Sequence, residues 1–484
     1  MKNILRLLAL LFTLALFFTS LVGCAGQGSG DGHGSGGDSG NSGDSGNTSE
    51  SGDNPDTDGA PDPRINLADY AFVRSDRASE YVTSLFGLAR REILDRFGVG
   101  LKIGDDWFRE GDYDSERVAA LREILVGTVR RPECDSVSAG LGKNDWRIEA
   151  RGNKIVIVGG NDFAVGAAVD AFLAAVTGAE KTDDGRLLLD AEALTMTGIS
   201  ETKYLVGLTD QKNSTVRVCD LTGGSVSVAD SIWSRTYEYY NIADTRLREY
   251  GGREVVLAAY GGSSASMVSF DDKKEELWRT DMTAQNPHAC ELIPCGVIAV
   301  AASSGGEIRF FDAAGDGKSY VSASLADSHG LLWDAAAGVL WAVGRNVLTA
   351  YEVTLEGGKI TVTERTDLRA TIPSDWAHDL QPCYGDTDRM WVTTSSAVYV
   401  YSKSQGAFLT DFSGSRELQR KNVKGIGNFS DGSVVLITPD GAFKSWTGRD
   451  LDFYLLIDGK YAHMDVKSTD GGFYKVRVWN KNYQ

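Results

Sequence analysis

Histidine is scarce in this chain, with only five in 484 residues (His33, His288, His329, His378 and His463). Chemistry built on many imidazoles is therefore excluded, and any grouping among the five is informative. The Walker-type phosphate loop is missing, and so is the glycine fingerprint of dinucleotide binding, which removes the usual nucleotide-binding motifs. There is no G-x-S-x-G nucleophile elbow. The six cysteines show no pair at zinc-ligand spacing and no disulfide framework. Positive charge is in deficit: 49 Lys and Arg stand against 67 Asp and Glu, a net charge of −18. Such a balance argues against nucleic acid as a partner. The apolar run at residues 8–18 suits a signal peptide and is short for a membrane span.

The beginning of the chain fits export. Lys2 and Arg6 precede that run, and Leu21-Val22-Gly23-Cys24 follows it. The stretch resembles a bacterial lipobox, which implies cleavage after residue 23 and acylation of Cys24. The expected product is extracytoplasmic and attached to the membrane through lipid on Cys24. Residues 24–63 are mostly Gly, Ser, Asp and Asn and have no aromatic residue. A segment with so little to bury cannot repay the entropy of ordering, so it is expected to act as a disordered tether. Its acids account for much of the net charge, and His33 lies within it. Without Cys24 five cysteines remain, so at least one thiol stays unpaired.

Two textures follow, and a multidomain chain is expected. Over residues 64–200 helical and strand patterns alternate. "RINLADYAFV" (64–73) reads as a strand, and residues 79–98 as a helix ending at Gly98. A hairpin turns at Gly152-Asn153, and a Gly-Gly-Asn entry leads into an apolar helix. Close helix-on-sheet packing is the expected role of Gly159-Gly160. The segments "EILVGTVRRPE", "KIVIVGG" and "AVGAAVDAFL" resemble the small α/β accessory domain that precedes the catalytic barrel in β-N-acetylhexosaminidases and α-glucuronidases. The resemblance implies a carbohydrate context, and no catalytic barrel follows here.

Beyond residue 200 helical periodicity gives way to short runs rich in Val, Ile, Tyr and Trp, separated by turns. Their regular recurrence predicts an all-β repeat, a six-bladed β-propeller over residues 203–484. The units align on Asp244, His288, His329, His378 and Lys424. A further unit would join residues 203–220 to a late strand, either 462–468 or 473–479. The string "NPHACELIPCG … HGLLWD … HDLQPCYGDTDRMWVTT" resembles a family of uncharacterised secreted bacterial β-propellers, which carries a fold but no activity.

Equivalent positions of successive blades converge at one channel mouth, so His288, His329 and His378 are expected to approach one another. Two functional readings stay open. In the first, the mouth binds an extracellular ligand, a carbohydrate, with Asp244, Arg246, Trp376 and Arg389 along the channel. In the second, the arrangement of histidines resembles oligogalacturonate lyase. That resemblance implies His288, His329 and His378 as ligands of manganese, zinc or iron, with Gln381 as a fourth. Lys424 or His463 would then be the base that removes a proton beside a uronate carboxylate. A structural alternative has the histidines bonding neighbouring blades, with Asp334 and Asp379 as partners. A protein-binding envelope scaffold is a third class.

Overall fold

A computed structural model describes residues 62–109 and 112–484. The signal segment, Cys24, His33 and nearly all of the tether lie outside the described residues. Residues 62–484 form one compact unit that is predominantly β and contains many sheets. No described helix is long and apolar enough to cross a membrane.

Residues 71–199 build a six-stranded sheet. Its strands are β1 (Ala71–Arg74), β2 (Lys102–Asp105), β3 (Glu123–Val126), β4 (Asp145–Arg151), β5 (Lys154–Gly159) and β6 (Met196–Ile199), in the order β2-β1-β3-β5-β4-β6. Strands β1, β2, β3 and β5 are parallel, whereas β4 and β5 form a hairpin. Parallel neighbours need crossovers, and helix α1 (Glu80–Phe97) supplies the first. The Ser79 side chain accepts from Val82 N at its start, and Gly98 ends it in the left-handed region at φ 67°. Helices α2 (Pro132–Ser138) and α3 (Asp162–Val176) follow. All four residues of β3 are buried because helices cover both faces. Phe72, Ile124 and Ile155 pack with Phe86 of α1 and Phe172 of α3, whereas Val73, Leu125 and Val156 pack with Val137 of α2.

Residues 64–73 differ from the expected single strand. A short strand, Ile65–Asn66, leads into a 3-10 turn, Leu67–Asp69, and only then into β1. The Asn66 side chain accepts from Ala68 N and so stabilises the turn that interrupts the strand. At Gly159-Gly160 close packing holds. A Cβ on Gly159 would lie 2.5 Å from Val165 N, and one on Gly160 would collide with the Gly142 carbonyl oxygen.

Six sheets follow, and each has a first strand that faces the others. These first strands are β7 (Ile242–Tyr250), β8 (Pro287–Ile293), β9 (Ser328–Asp334), β10 (Ala377–Pro382), β11 (Gly425–Asn428) and β12 (Phe473–Val478). They neighbour one another in a closed cycle, β7-β8-β9-β10-β11-β12 and back to β7. Strand β12 pairs with Leu205–Asp210, so the late partner of the early strands is 473–478. The segment Lys460–Ser468 instead pairs with Leu451–Ile457 in the sheet of β11. Phe163 of α3 packs against Tyr81, Tyr204 and Phe453, which places α1 and α3 between the six-stranded sheet and these later sheets.

Candidate functional site

One local conformation recurs at the start of five first strands. Asn241, Asn286, Asp327, Trp376 and Asn422 all have positive φ, and each stands two residues before Ala243, His288, His329, His378 or Lys424. In β7 to β10 the register shifts across the second residue of each pair, so that Ala243 and the three histidines are extra residues turned out of the ladder. The alignment therefore moves by one in the first of these strands. Ala243 matches the histidines, and Asp244 takes the next position inward, the level of Ala289, Gly330 and Asp379.

The repeated turn gathers the three histidines. The ring centroids of His288 and His329 are 4.3 Å apart, those of His329 and His378 are 5.9 Å apart, and Tyr474 stands edge-on 5.9 Å from His288. His288 Nδ1 donates to the Asn286 carbonyl and His329 Nδ1 to the Asp327 carbonyl, both at 2.9 Å. These bonds place a proton on each Nδ1 and orient each Nε2 away from its own strand. His378 differs. Its Nε2 receives the Lys424 ammonium at 2.7 Å with Ser395 Oγ at 3.0 Å, and its Nδ1 is buried without a partner.

Burial and the neighbouring His329 lower the His288 pKa far below its ordinary value. Burial together with Lys424 pushes His378 down to about 2. Lys424 falls to about 8 because burial strips water from its ammonium and Lys475 repels it. At neutral pH His288 and His378 are therefore uncharged, beside a lysine that gives up its proton unusually readily.

Beneath this ring the axis is filled with paired charge. Arg477 binds Asp244 at 2.6 and 2.9 Å and Asp379 at 2.8 and 2.9 Å. Lys475 Nζ donates to the His378 carbonyl at 2.7 Å and to Asp379 Oδ1 at 3.1 Å. Burial alone would raise the Asp379 pKa, but Arg477 and Lys475 overcome it and hold the carboxyl at about 2. Deeper still, Arg248 grips Glu291 at 2.7 and 2.8 Å, and Arg246 donates to the Leu331 and Leu380 carbonyls and to Gln381 Oε1. Residues 480–484 cross the far end: Tyr483 OH donates to the Leu292 carbonyl and its ring lies 4.5 Å from the Arg248 guanidinium.

The other expected residues fall in different places. Trp376 stands at the rim, 49% exposed, with Arg345 over its ring at 5.2 Å. It is the single bulky side chain among five positions in the left-handed region, the others being Asn or Asp, which tolerate it. Gln381 and Arg246 belong to the charged belt below the ring. Arg389 lies on the hairpin at the far end and pairs with Asp386 at 3.3 Å. His463 is not with the trio. It lies on Lys460–Ser468 and bonds Asp452 at 2.9 Å. Asp452, His463 and Asp465 hold ligand atoms within 4.8 Å of one another, the one grouping of three such residues found among the described residues. Arg420 on Asp452 at 2.9 Å and Lys467 on Asp465 at 3.1 Å already supply cations there.

Carboxylates bond sheet to sheet, as does the His378 imidazole, which meets Lys424 of the next sheet. Asp244 accepts from Cys290 N and Asp379 from Ile426 N, both at 3.2 Å, each reaching the next first strand. Asp334 pairs with Lys403 at 2.6 Å and takes no histidine. The five cysteines among the described residues are free thiols. Sequence reasoning missed Lys475, Arg477, Arg345 and Asp327. The signal for the first two was present in "FYKVRVW", where alternate cations share one face of an otherwise apolar strand.

The model of a family of unknown function, DUF6528, matches residues 196–447, just over half of the chain. The chain belongs to DUF6528. No curated protein matches this DUF6528 member. Among solved structures it is similar to a functionally unknown protein from Desulfotomaculum acetoxidans DSM 771, at 12% identity and a TM-score of 0.38, over 60% of this chain and 93% of that one. It is also similar to a protein of unknown function from Bacteroides caccae, at 10% identity and a TM-score of 0.39, over 57% of this chain and 98% of that one. At such scores neither likeness carries an argument about this DUF6528 member.

Proposed function

We propose that this DUF6528 chain is a lipid-anchored extracytoplasmic binding protein whose six later sheets form a six-bladed β-propeller behind a small α/β accessory domain over residues 64–200. One mouth of the propeller takes an acidic carbohydrate. The observation that carries this reading is the ring of His288, His329, His378 and Lys424, four equivalent positions of successive first strands at the open end of a plugged axis. The Nε2 acceptors of His288 and His329 suit sugar hydroxyls. Lys424, with Arg345 at the rim, suits a carboxylate. Trp376 offers a ring face whose unusual backbone conformation keeps it exposed. Calorimetric titration of the whole chain with galacturonate oligosaccharides should show binding that weakens at least tenfold in Lys424→Ala and in Trp376→Ala. Equal affinity for neutral galactose oligosaccharides would sink the acidic-ligand reading.

A second reading keeps one specific support. The Nδ1–carbonyl bonds of His288 and His329 are the arrangement that aims Nε2 at a metal. His288, His329 and His378 would then hold manganese, zinc or iron in a lyase-like enzyme with Lys424 as base, without Gln381, which is bonded to Arg246 and the Leu380 carbonyl in the belt below. The Lys424 ammonium on His378 Nε2 opposes this, because it places a cation on the third ligand atom. Elemental analysis of the whole chain beside the His288→Ala/His329→Ala/His378→Ala variant decides between the readings. One equivalent of metal in the wild type alone would favour the enzyme.

A further inference from the structure

A second cleft lies far along the chain from the histidine ring, at the carboxyl edge of the six-stranded sheet. Strand β1 connects through α1 to β2 on one side, and β3 connects onward to β4 and β5 on the other. The carboxyl ends of β1 and β3 are therefore a topological switch point, where the loops diverge and open α/β sheets bind their ligands. The loops after β2 and β3, the strands that flank β1, enclose a cleft of about 490 Å³. Its floor is rigid. Asp106, fully buried, accepts from Asp76 N at 2.8 Å and from Arg130 N at 2.7 Å, and so ties together the loops after β1, β2 and β3. Arg131, also buried, holds Glu123 at 2.8 and 3.0 Å, with its guanidinium 5.4 Å from the Phe108 ring.

The lining groups have a definite chemistry. Arg109 makes no side-chain hydrogen bond or ion pair with any described residue, and Arg130 is 56% exposed beyond its contacts with Asp76 and Asp106. Phe108 and Tyr113 pack edge to face at 5.3 Å and form an apolar wall. Thr128 and Asp135 line the same cleft as exposed hydroxyl and carboxylate. The unpaired Arg109 guanidinium, with the exposed part of Arg130 beside it, suits a carboxylate, the aromatic wall suits a ring face, and Thr128 with Asp135 suits ring hydroxyls.

We propose that this cleft binds a uronic-acid-type ligand, a hydroxylated ring bearing a carboxylate, with Arg109 and Arg130 on the carboxylate and Phe108 and Tyr113 against the ring. The site is separate from the mouth and stands whether or not the mouth binds sugar.

The test is calorimetric titration of the whole chain with galacturonate, with galactose and inorganic phosphate as controls. It is run on the wild type, on Arg109→Ala/Tyr113→Ala, and on Lys424→Ala. Both cleft substitutions are at exposed side chains, and unchanged thermal unfolding confirms the fold. Binding should fall at least tenfold in the double variant and persist in Lys424→Ala. Two sites in the wild type, with one lost in each variant, would support both the cleft and the mouth. Three results would overturn the cleft: no binding that depends on Arg109 and Tyr113, equal binding of galactose, or phosphate binding as tight as galacturonate. Loss in Lys424→Ala alone would overturn the cleft and leave the mouth standing.

Discussion

Asp379 shows how much one side chain holds at the axis. It accepts from Arg477 with both oxygens, from Lys475, and from the Ile426 backbone of the next sheet, and it is fully buried. Removing one partner of a buried ion set strands the others without water. Asp379→Ala should therefore cost about 3–5 kcal/mol. Arg389→Ala is the control, because its exposed pair with Asp386 should be worth less than about 1 kcal/mol. Urea unfolding of both variants checks the contrast. A loss of under 1 kcal/mol for Asp379→Ala would mean that the belt is not what ties the first strands together.

At the scale of elements, the helix at 79–98 was legible because Ser79 and Gly98 bracket an apolar period, and the hairpin at Gly152-Asn153 because its turn residues stand between an alternating strand and an apolar one. The recurrence of histidine before an apolar run pointed to positions whose rings approach one another. Other features depend on distant partners and left weaker local signals. Whether 462–468 or 473–479 meets Leu205–Asp210 is settled by packing across more than 250 residues, and both segments read as strands. The one-residue offset at Asp244 arises because Ala243, and not a histidine, fills the bulged position of that strand, so the alignment slid to the next polar residue. His463 was grouped with the trio by residue type, but its strand faces α1, where Glu80 accepts from its backbone N at 2.9 Å. The joint between α3 and the later sheets is likewise a tertiary property. Phe163, 2% exposed, sits against Tyr204 and Phe453 across it. Phe163→Ala should destabilise by about 3–5 kcal/mol. The amides of both the six-stranded sheet and Leu451–Ile457 should lose hydrogen-exchange protection together. Loss confined to residues 71–199 would mean that the two parts unfold independently.

For the whole molecule, the histidine ring makes stability depend on acidity. Burial depresses the folded pKa of His288 and of His378, the latter to about 2. In the unfolded chain both return to about 6.5. Below that pH the unfolded state takes up protons that the folded state refuses, so stability falls as pH falls. The slope is up to about 1.4 kcal/mol per pH unit for each histidine. Asp379, held at about 2, adds its own loss only as pH drops below the ordinary carboxylate range. His463 has a raised pKa from its bond to Asp452 and works the other way. Its contribution is complete by the time pH has fallen to its unfolded value, and it adds no slope below that. Lys424, lowered to about 8, makes stability rise again as pH climbs from there toward the ordinary lysine value. Urea midpoints measured at pH 7, 6 and 5 should therefore fall in the wild type, and should fall markedly less in His288→Gln/His378→Gln. An unchanged slope in that variant would show that the imidazoles remain protonatable at the mouth, and the neutral acceptor surface proposed for sugar hydroxyls would fail with it.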